Sequence, residues 1–373
     1  MNDNKNDDDG DDDIKEDHID DDQVEDFQNS SKSRFIRVIA GQTLEHADTL
    51  LGDRVNWLER LLVFKSKAPK LNSEVDYTTA RCVGMDAASA LAVEALDPQP
   101  GLGILDLCCA PGMKLAAIAE LMDKRGRLVG VDVSEMRLNT TAALLRKYSV
   151  ALKGADDDNW DLTLWRCDGR TFNPKGDKGV LQWSTKMNQL FLGGKALRVP
   201  RKRAGKALRK ALQAQARLET AEFAMDVEGF DRVLVDAECT TDGRAYETST
   251  QERNYKRKKW TGENGAASSE EESQVEQLQL ELLTNGFRLL KPGGFLVYST
   301  CSLLEGQNEG VLSRFMEKEP RAKLVYPMPS RRGEGHLVPP HIVPSRTLGP
   351  MGWRLTPSVS GTSGLFIARL IKI

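Results

Sequence analysis

The chain has 373 residues, of which 40% are hydrophobic and 29% charged, so it can bury the core of a large domain. Its net charge of −3 hides fourteen acidic and two basic residues at 1–26, a net −12 that leaves +9 on the remainder. No apolar run approaches the ~18 residues that cross a bilayer, and the four histidines lack metal-ligand spacing. The six cysteines form no C-x-x-C pair and no apolar signal segment is present, which predicts free thiols in a reducing compartment.

Composition divides the chain into three predicted parts. Residues 1–30 are rich in Asp and poor in large apolar side chains, which predicts a disordered acidic tail. Residues 31–75 contain apolar positions near helical spacing, which predicts a small N-terminal helical extension. Residues 76–373 form the predicted main domain.

Helices and strands alternate through that domain. The predicted helices are 87–96, 115–122, 134–148 and 275–290, the third opened by a capping Ser134. The predicted strands are 104–107, 127–131, 162–166, 230–235, 295–299 and 365–370. This order predicts an α/β fold with a mostly parallel sheet and helices on both faces.

A basic insertion interrupts this pattern at about 172–229. Nine basic residues without an intervening acid occur there: Lys195, Arg198, Arg201, Lys202, Arg203, Lys206, Arg209, Lys210 and Arg217. On a helix they would form a ridge that contacts nucleic-acid phosphates, although a solvated face or a nuclear-targeting role for 201–203 stays open. Residues 244–274 are predicted to form a surface loop, where Trp260 beside Lys258 and Lys259 favours either base stacking or local packing. Residues 318–350 are predicted to be irregular.

Acidic residues and a glycine turn follow the first three predicted strands. The turn from Asp106 to Lys114 precedes a helix, where Gly112 would allow a nucleotide-like cofactor to approach the backbone. It matches neither G-x-G-x-x-G nor a phosphate loop, which argues against a nicotinamide-dependent dehydrogenase. Asp132 is placed to bind a ribose, and Asp168 to face an adenine amino group. Each Asp taken singly is equally typical of a helix cap or turn.

Two cysteines follow two further predicted strands, Cys239 in Asp236-Ala-Glu-Cys and Cys301 in Ser-Thr-Cys-Ser. Because ligands bind at the carboxyl edge of a parallel sheet, both thiols are predicted to reach one substrate there. Most buried cysteines are inert, and that interpretation holds for Cys82, Cys108, Cys109 and Cys167.

An ordered set of motifs over about 75–370 resembles the Sun/RsmB-type (NOL/NOP/Sun) RNA cytosine-5 methyltransferases. The matching segments are Asp-Ala-Ala-Ser (86–89), the turn 106–114, Val-Asp-Val-Ser (131–134) with Arg137, Asp-Ala-Glu-Cys (236–239), Gln-Leu-Glu-Leu-Leu (279–283), Lys-Pro-Gly-Gly (291–294), Tyr-Ser-Thr-Cys-Ser (298–302) and Gly-Leu-Phe-Ile-Ala (364–368). The resemblance implies a Rossmann-like class I methyltransferase fold, S-adenosyl-L-methionine as cofactor, and a cytosine in tRNA or rRNA as acceptor.

The resemblance also implies roles for individual residues. Cys301 would be the nucleophile that adds to C6 of the base, Cys239 would assist product release, and Asp236 would hold N3. The implied cofactor-binding residues are Cys108, Cys109, Ala110, Pro111, Gly112, Met113 and Lys114 around the methionine moiety, Asp132 at the ribose, Arg137 beside it, and Asp168 with Asp236 completing the pocket. Lys114 is the protein's candidate for stabilising a thiolate.

Two departures from the family pattern bear on activity. Glu238 replaces the usual proline before the release cysteine, which removes a fixed φ and adds negative charge unless Glu238 turns to solvent or pairs with Arg244. Met113 replaces the second glycine of the usual Pro-Gly-Gly-Lys. A catalytically impaired RNA-binding protein of the same fold is therefore the alternative. We expect a monomer without metal, in the cytoplasm or nucleus, since the acidic start is unlike a mitochondrial leader.

Overall fold

The computed structural model describes residues 34–68, 70–148, 160–176, 179–185, 229–240, 269–329, 342–345 and 347–373. The predicted acidic tail, the basic ridge at 195–217 and the loop containing Trp260 lie outside these residues. So does Arg244, the predicted partner of Glu238.

The first described segment forms a small antiparallel sheet. Its strands are β1 (Phe35–Val38), β2 (Leu51–Arg54), β3 (Val63–Ser66) and β4 (Cys82–Gly84), in the order β2-β3-β1-β4. Two single helical turns, α1 (Ala47–Leu50) and α2 (Val75–Thr78), accompany it. The predicted helical extension at 31–75 is thus corrected to a mainly β-structure. All four residues of β1 are buried between β3 and β4, and this non-local pairing outweighs the local helical spacing.

The main sheet contains ten strands among the described residues, and five of them run parallel at its centre. The strands are β5 (Gly103–Asp106), β6 (Gly126–Asp132), β7 (Trp160–Arg166), β8 (Val180–Ser184), β9 (Phe230–Asp236), β10 (Leu290–Thr300), β11 (Ala322–Val325), β12 (Ile342–Ser345), β13 (Gly349–Leu355) and β14 (Leu365–Lys372). The order is β12-β13-β14-β10-β9-β5-β6-β7-β8, with β11 also paired to β14. The parallel strands are β7, β6, β5, β9 and β10.

Helices cover both faces of this sheet. They are α3 (Ala87–Leu96), α4 (Met113–Leu121), α5 (Glu135–Lys147), α6 (Ser269–Leu289), α7 (Val311–Lys318) and the single turn α8 (Pro357–Ser360). Alternate residues of the strands enter two cores, as Ile104 packs with α3, α4 and α5 while Leu105 packs with α6 and α7. The predicted α/β architecture is therefore confirmed, and Ser134 caps α5 as expected by accepting a hydrogen bond from the Arg137 N–H.

Two regions predicted as insertion or irregular chain extend the sheet. The insertion at 172–229 contains β8, which pairs antiparallel with β7. The segment 318–350 contributes β11, β12 and the start of β13, so its predicted irregular structure is corrected. Pro344 lies on β12, the outermost strand on that side, where a residue without an N–H is tolerated.

In chain order, β6 and β7 are added on one side of β5, whereas β9 and β10 are added on its other side. In an open parallel sheet this reversal leaves a crevice at the carboxyl ends of the strands, where ligands bind. The turns that follow β5, β6, β9 and β10 meet at that edge.

Candidate active site

The two predicted catalytic cysteines follow adjacent parallel strands. Asp236 at the end of β9 pairs in register with Ser299 of β10, so both chains leave the sheet at one level. The sulfur atoms of Cys239 and Cys301 lie 3.0 Å apart, with Cys239 buried and Cys301 half-buried. The structure therefore brings together the two thiols that the sequence placed at this edge, while their separate roles stay predictions.

Asp236 lies beside this pair and binds two donors. Its Oδ2 accepts a hydrogen bond from the Lys114 ammonium at 2.7 Å, and its Oδ1 accepts one from the Ser299 hydroxyl at 2.7 Å. Burial is the largest single influence and would lower the pKa of Lys114, but the charge and hydrogen bond of Asp236, with the charges of Asp106 and Cys301, together outweigh it and raise the pKa. Lys114 thus stays charged, and its ammonium also interacts electrostatically with Cys301. Lys114 is therefore a cation near Cys301, while its stabilisation of a thiolate stays a prediction.

The turn after β5 carries the remaining residues of the predicted methionine pocket. Gly112 has a φ of +101° and is the N-cap that precedes α4, and a Cβ built there would come within 2.7 Å of Cγ2 of Thr141. Only glycine fits at this position, whereas Met113 is accommodated as the first helical residue. Burial raises the pKa of both Cys108 and Cys109 well above the ordinary range, so these two thiols stay protonated. Their side chains fit the prediction of inert packing groups.

Asp132 and Arg137 connect two turns at the edge of the sheet. Oδ1 of Asp132 accepts a hydrogen bond from the Ser134 N–H at 2.9 Å, and Oδ2 lies 3.3 Å from Nη1 of Arg137. Arg137 also donates to the carbonyl of Ala110, in the turn after β5. Burial raises the pKa of Asp132 despite these donors, and the charge of Glu238 adds to the rise. Arg137 therefore supports the predicted ribose-binding edge from both sides.

Asp168 is occupied by a neighbouring cation. Arg170 donates hydrogen bonds to both of its carboxylate oxygens and also to Glu281. Hydrogen bonding from Arg170 is the main reason that the pKa of Asp168 is lowered. The half-exposed carboxylate lies next to the predicted ribose edge, since the Cys167 N–H donates to the Asp132 carbonyl. Its contact with adenine stays a prediction.

Asp106 borders the candidate site, and the sequence-based assignment of the pocket left it out. It ends β5, is 1% exposed and accepts a hydrogen bond from the Cys108 N–H. Burial, followed by the charge of Asp236, raises its pKa to about 7. The available signal was a buried strand that ends in an acid directly before the glycine turn.

Glu238, which replaces the family proline, turns outward. Its side chain is exposed, while its carbonyl accepts a hydrogen bond from the Gln279 amide at 2.8 Å. Because its charge acts on Asp132, Glu238 lies on the side of the predicted cofactor pocket. Of the two arrangements that would keep its charge from the thiol, exposure to solvent is therefore observed, and pairing with Arg244 lies outside the described residues.

The described part of the chain lacks both a metal-binding cluster and a membrane-spanning helix. No group of three or more His, Cys, Asp or Glu side chains there could hold a metal ion. No helix in the same residues combines the length and apolar character that crossing a membrane requires.

Comparison with known proteins finds similar chains. The chain is 30% identical over 237 residues to the 5-cytosine rRNA methyltransferase NSUN4 of Xenopus laevis, covering 62% of this chain and 42% of that protein. It is 30% identical over 247 residues to the human tRNA (cytosine(72)-C(5))-methyltransferase NSUN6, covering 66% of this chain and 39% of that protein. The chain thus spans less than half the length of these curated relatives.

Solved structures show the same fold. A methyltransferase homolog from Pyrococcus horikoshii superposes with a TM-score of 0.60 at 23% identity, covering 94% of this chain and 90% of that one. The sequence profile of the 16S rRNA methyltransferases RsmB/F matches residues 93–173 and 201–371, which is most of the main domain. The predicted resemblance is confirmed, and the chain belongs to the RsmB/F family of methyltransferases.

Proposed function

We propose that this chain transfers a methyl group from S-adenosyl-L-methionine to C5 of a cytosine in tRNA or rRNA, through a covalent adduct between Cys301 and C6 of the base. The observation that carries the proposal is the meeting of two thiols, 3.0 Å apart, beside the paired carboxylate of Asp236. Relatives in the family are named as cytosine-5 methyltransferases of rRNA and tRNA, which supports the substrate class.

The residues at the sheet edge suit the proposed cofactor. Asp132 presents a carboxylate at the end of β6, where ribose hydroxyls would donate to it. Asp106 and the ion pair of Lys114 with Asp236 supply charged groups of both signs, which suit the amino and carboxylate groups of a methionine. When bound, S-adenosyl-L-methionine supplies an electrophilic methyl group.

Cys301 would begin the reaction as a thiolate that bonds to C6 of the cytosine. The electron pair of the C5–C6 double bond then moves to C5, which becomes nucleophilic. The nearby Lys114 ammonium favours the thiolate. Asp236 already accepts hydrogen bonds from Lys114 and Ser299, but each carboxylate oxygen has a second lone pair. Asp236 can therefore also accept a hydrogen bond from N3–H and favour the protonated ring, which draws electron density from C6.

Cys239 would complete the reaction once C5 carries the methyl group. As a thiolate it takes the remaining proton from C5, the freed electron pair restores the C5–C6 double bond, and Cys301 leaves C6 as a thiolate. The contact between the two sulfur atoms supports the proposal that both groups act on one base. Glu238 is exposed and does not separate the two sulfur atoms, which are in contact.

RNA containing 5-azacytidine tests the proposal, because an adduct on this base cannot lose a proton from position 5. We expect the wild type to form an adduct stable to denaturing electrophoresis and Cys301→Ala to form none, with turnover reduced on the order of 10³-fold or more. Cys239→Ala should stay trapped on ordinary cytosine RNA. Cys82→Ala, which removes a buried thiol from β4 of the small sheet, is the matched control and should behave as wild type.

A folded wild-type protein that binds RNA without forming any adduct would instead support the impaired RNA-binding alternative. Titration with S-adenosyl-L-methionine and with a nicotinamide cofactor separates the proposed cofactor from the dehydrogenase class.

A further inference from the structure

A buried π-helical turn contacts the two segments that carry the thiols. Gly306–Gly310 forms this turn between β10 and α7, and the side chains of Gln307 and Asn308 are fully buried in it. Single π-helical turns occur frequently at functional sites. Here the two adjacent amides reach different cysteine segments.

Gln307 holds the segment that carries Cys239. Its Oε1 accepts hydrogen bonds from the Thr240 N–H at 3.2 Å and from the Gln279 amide at 3.4 Å, and its Nε2 donates to the Thr240 hydroxyl at 3.2 Å. Gln279 in turn donates to the carbonyl of Glu238 at 2.8 Å. The residues on both sides of Cys239 are therefore fixed by these two glutamines.

Asn308 holds the segment that carries Cys301 in the same manner. Its Oδ1 accepts a hydrogen bond from the Thr300 hydroxyl, and its Nδ2 donates to the Ser302 carbonyl at 3.0 Å. The residues before and after Cys301 are thus both bonded to one side chain.

The turn itself is anchored independently of the thiols. The Tyr298 hydroxyl donates to the Gln307 carbonyl at 2.6 Å. Arg354 of β13 binds the Glu309 carboxylate and also donates to the Leu303 carbonyl at 2.9 Å. A rigidly held turn can set the distance between the segments that it contacts, since buried amides without partners are unfavourable.

We propose that Gln307 and Asn308 are positioning residues with separate tasks. Asn308 orients Cys301 for addition to the base, and Gln307, together with Gln279, orients Cys239 for release of the product. This inference rests on the proposed function and assigns each amide to a different step of it.

The test replaces each amide by an apolar side chain of similar shape. With 5-azacytidine RNA, Asn308→Leu should slow adduct formation by about tenfold or more, because a misplaced nucleophile loses much of the benefit of orientation. Gln307→Met should form that adduct at nearly the wild-type rate, yet accumulate as an adduct on ordinary cytosine RNA as Cys239→Ala does. Equal slowing of both steps in both variants would overturn the inference.

Two controls separate positioning from loss of stability. Lys372→Met removes a buried ammonium that donates to the Leu290 carbonyl at the opposite edge of the sheet, so it should lower the melting temperature without separating the two steps. Gln307→Glu keeps an acceptor for the Thr240 N–H and should restore part of the release rate. If the release rate of Gln307→Glu is no higher than that of Gln307→Met, the assignment is also contradicted.

A second measurement needs no RNA. Diamide oxidises two adjacent thiols to a disulfide and takes up both hydrogens across its N–N double bond. If the amides set the thiol geometry, both variants should form the Cys239–Cys301 disulfide several-fold more slowly than Lys372→Met, even if the wild type forms no RNA adduct. Unchanged disulfide formation would refute the positioning role, whereas a missing wild-type adduct with slowed disulfide formation would refute only the proposed function.

Discussion

Asp106, beside the candidate site, is a carboxyl group whose charge changes near neutral pH. It is buried at the end of β5, and Asp236 and Asp132 add negative charge around it, while Lys114 partly offsets them. Its pKa of about 7 results first from burial and then from Asp236. A carboxyl group in this state is neutral below about pH 7 and negative above it.

This titration predicts how the affinity for S-adenosyl-L-methionine depends on pH. The proposed ligand carries a sulfonium that is positive at every pH in this range, so it binds better to the ionised carboxylate. We expect the affinity, measured by calorimetry, to weaken several-fold as the pH falls from about 8 to about 6, because Asp106 is protonated over that interval. Asp106→Asn should flatten this dependence, while Asp123→Asn, at an exposed position, should retain it. A wild-type affinity that stays constant over the interval would contradict the prediction.

The helices and strands of the central fold could be predicted from the pattern of residues, because local propensity and tertiary packing favour the same structures there. The helix capped by Ser134 and the apolar strands 104–107 and 230–235 occur within one or two residues of the predicted bounds. The N-terminal segment was mispredicted because its helical spacing competes with strand pairing, as between Ile36 and Phe64, that spacing cannot reveal.

In the candidate site, too, some residues could be placed from the sequence and others could not. Cys239, Cys301 and Asp236 could be placed from the strands that precede them, because the ends of neighbouring parallel strands share one edge. The contacts of Gln307 and Asn308 could not be predicted, because they depend on a π-helical turn folding back over two distant segments. Asp168 was placed at the correct edge, but its pairing with Arg170 depends on side-chain conformation.

The close packing of α6 on the sheet supports a prediction at the scale of helices and strands. A Cβ at Gly286 would lie 2.8 Å from Cγ2 of Val235 and 3.2 Å from Cδ1 of Leu107. Overpacking of this kind costs about 1–3 kcal/mol, while replacing a helical glycine with alanine returns at most about 1 kcal/mol. We expect Gly286→Ala to lower the free energy of unfolding by up to about 2 kcal/mol, measured by urea denaturation.

Gly310→Ala is the matched control for that experiment. Gly310 also has a helical φ of −60°, but its nearest neighbour beyond the local backbone is the Glu305 carbonyl oxygen at 3.5 Å, an ordinary contact. This substitution should leave stability unchanged or slightly increased. If Gly286→Ala proves equally harmless, the helix is free to move away from the sheet.

Charge is distributed unevenly over the whole molecule, and this unevenness bears on RNA binding. The first 26 residues carry a net charge of −12 and the remainder +9, so an overall charge of −3 conceals a basic main domain. The basic ridge at 195–217 lies outside the described residues, and its proposed contact with phosphates rests on the sequence. Phosphate contacts release counterions, so they can be counted from the dependence of affinity on salt.

Neutralising the three basic residues at 201–203 should therefore weaken RNA binding and flatten its salt dependence. If each contacts one phosphate of a single-stranded segment, the slope of log affinity against log salt should become shallower by about 2. Fluorescence anisotropy over a range of salt concentrations measures this slope. The control variant neutralises the same number of exposed basic residues elsewhere, Arg146, Lys318 and Lys323, and should leave the slope nearly unchanged. Equal effects of the two variants would indicate that the ridge adds only to the general charge of the protein, since specific phosphate contacts depend on where the cations lie.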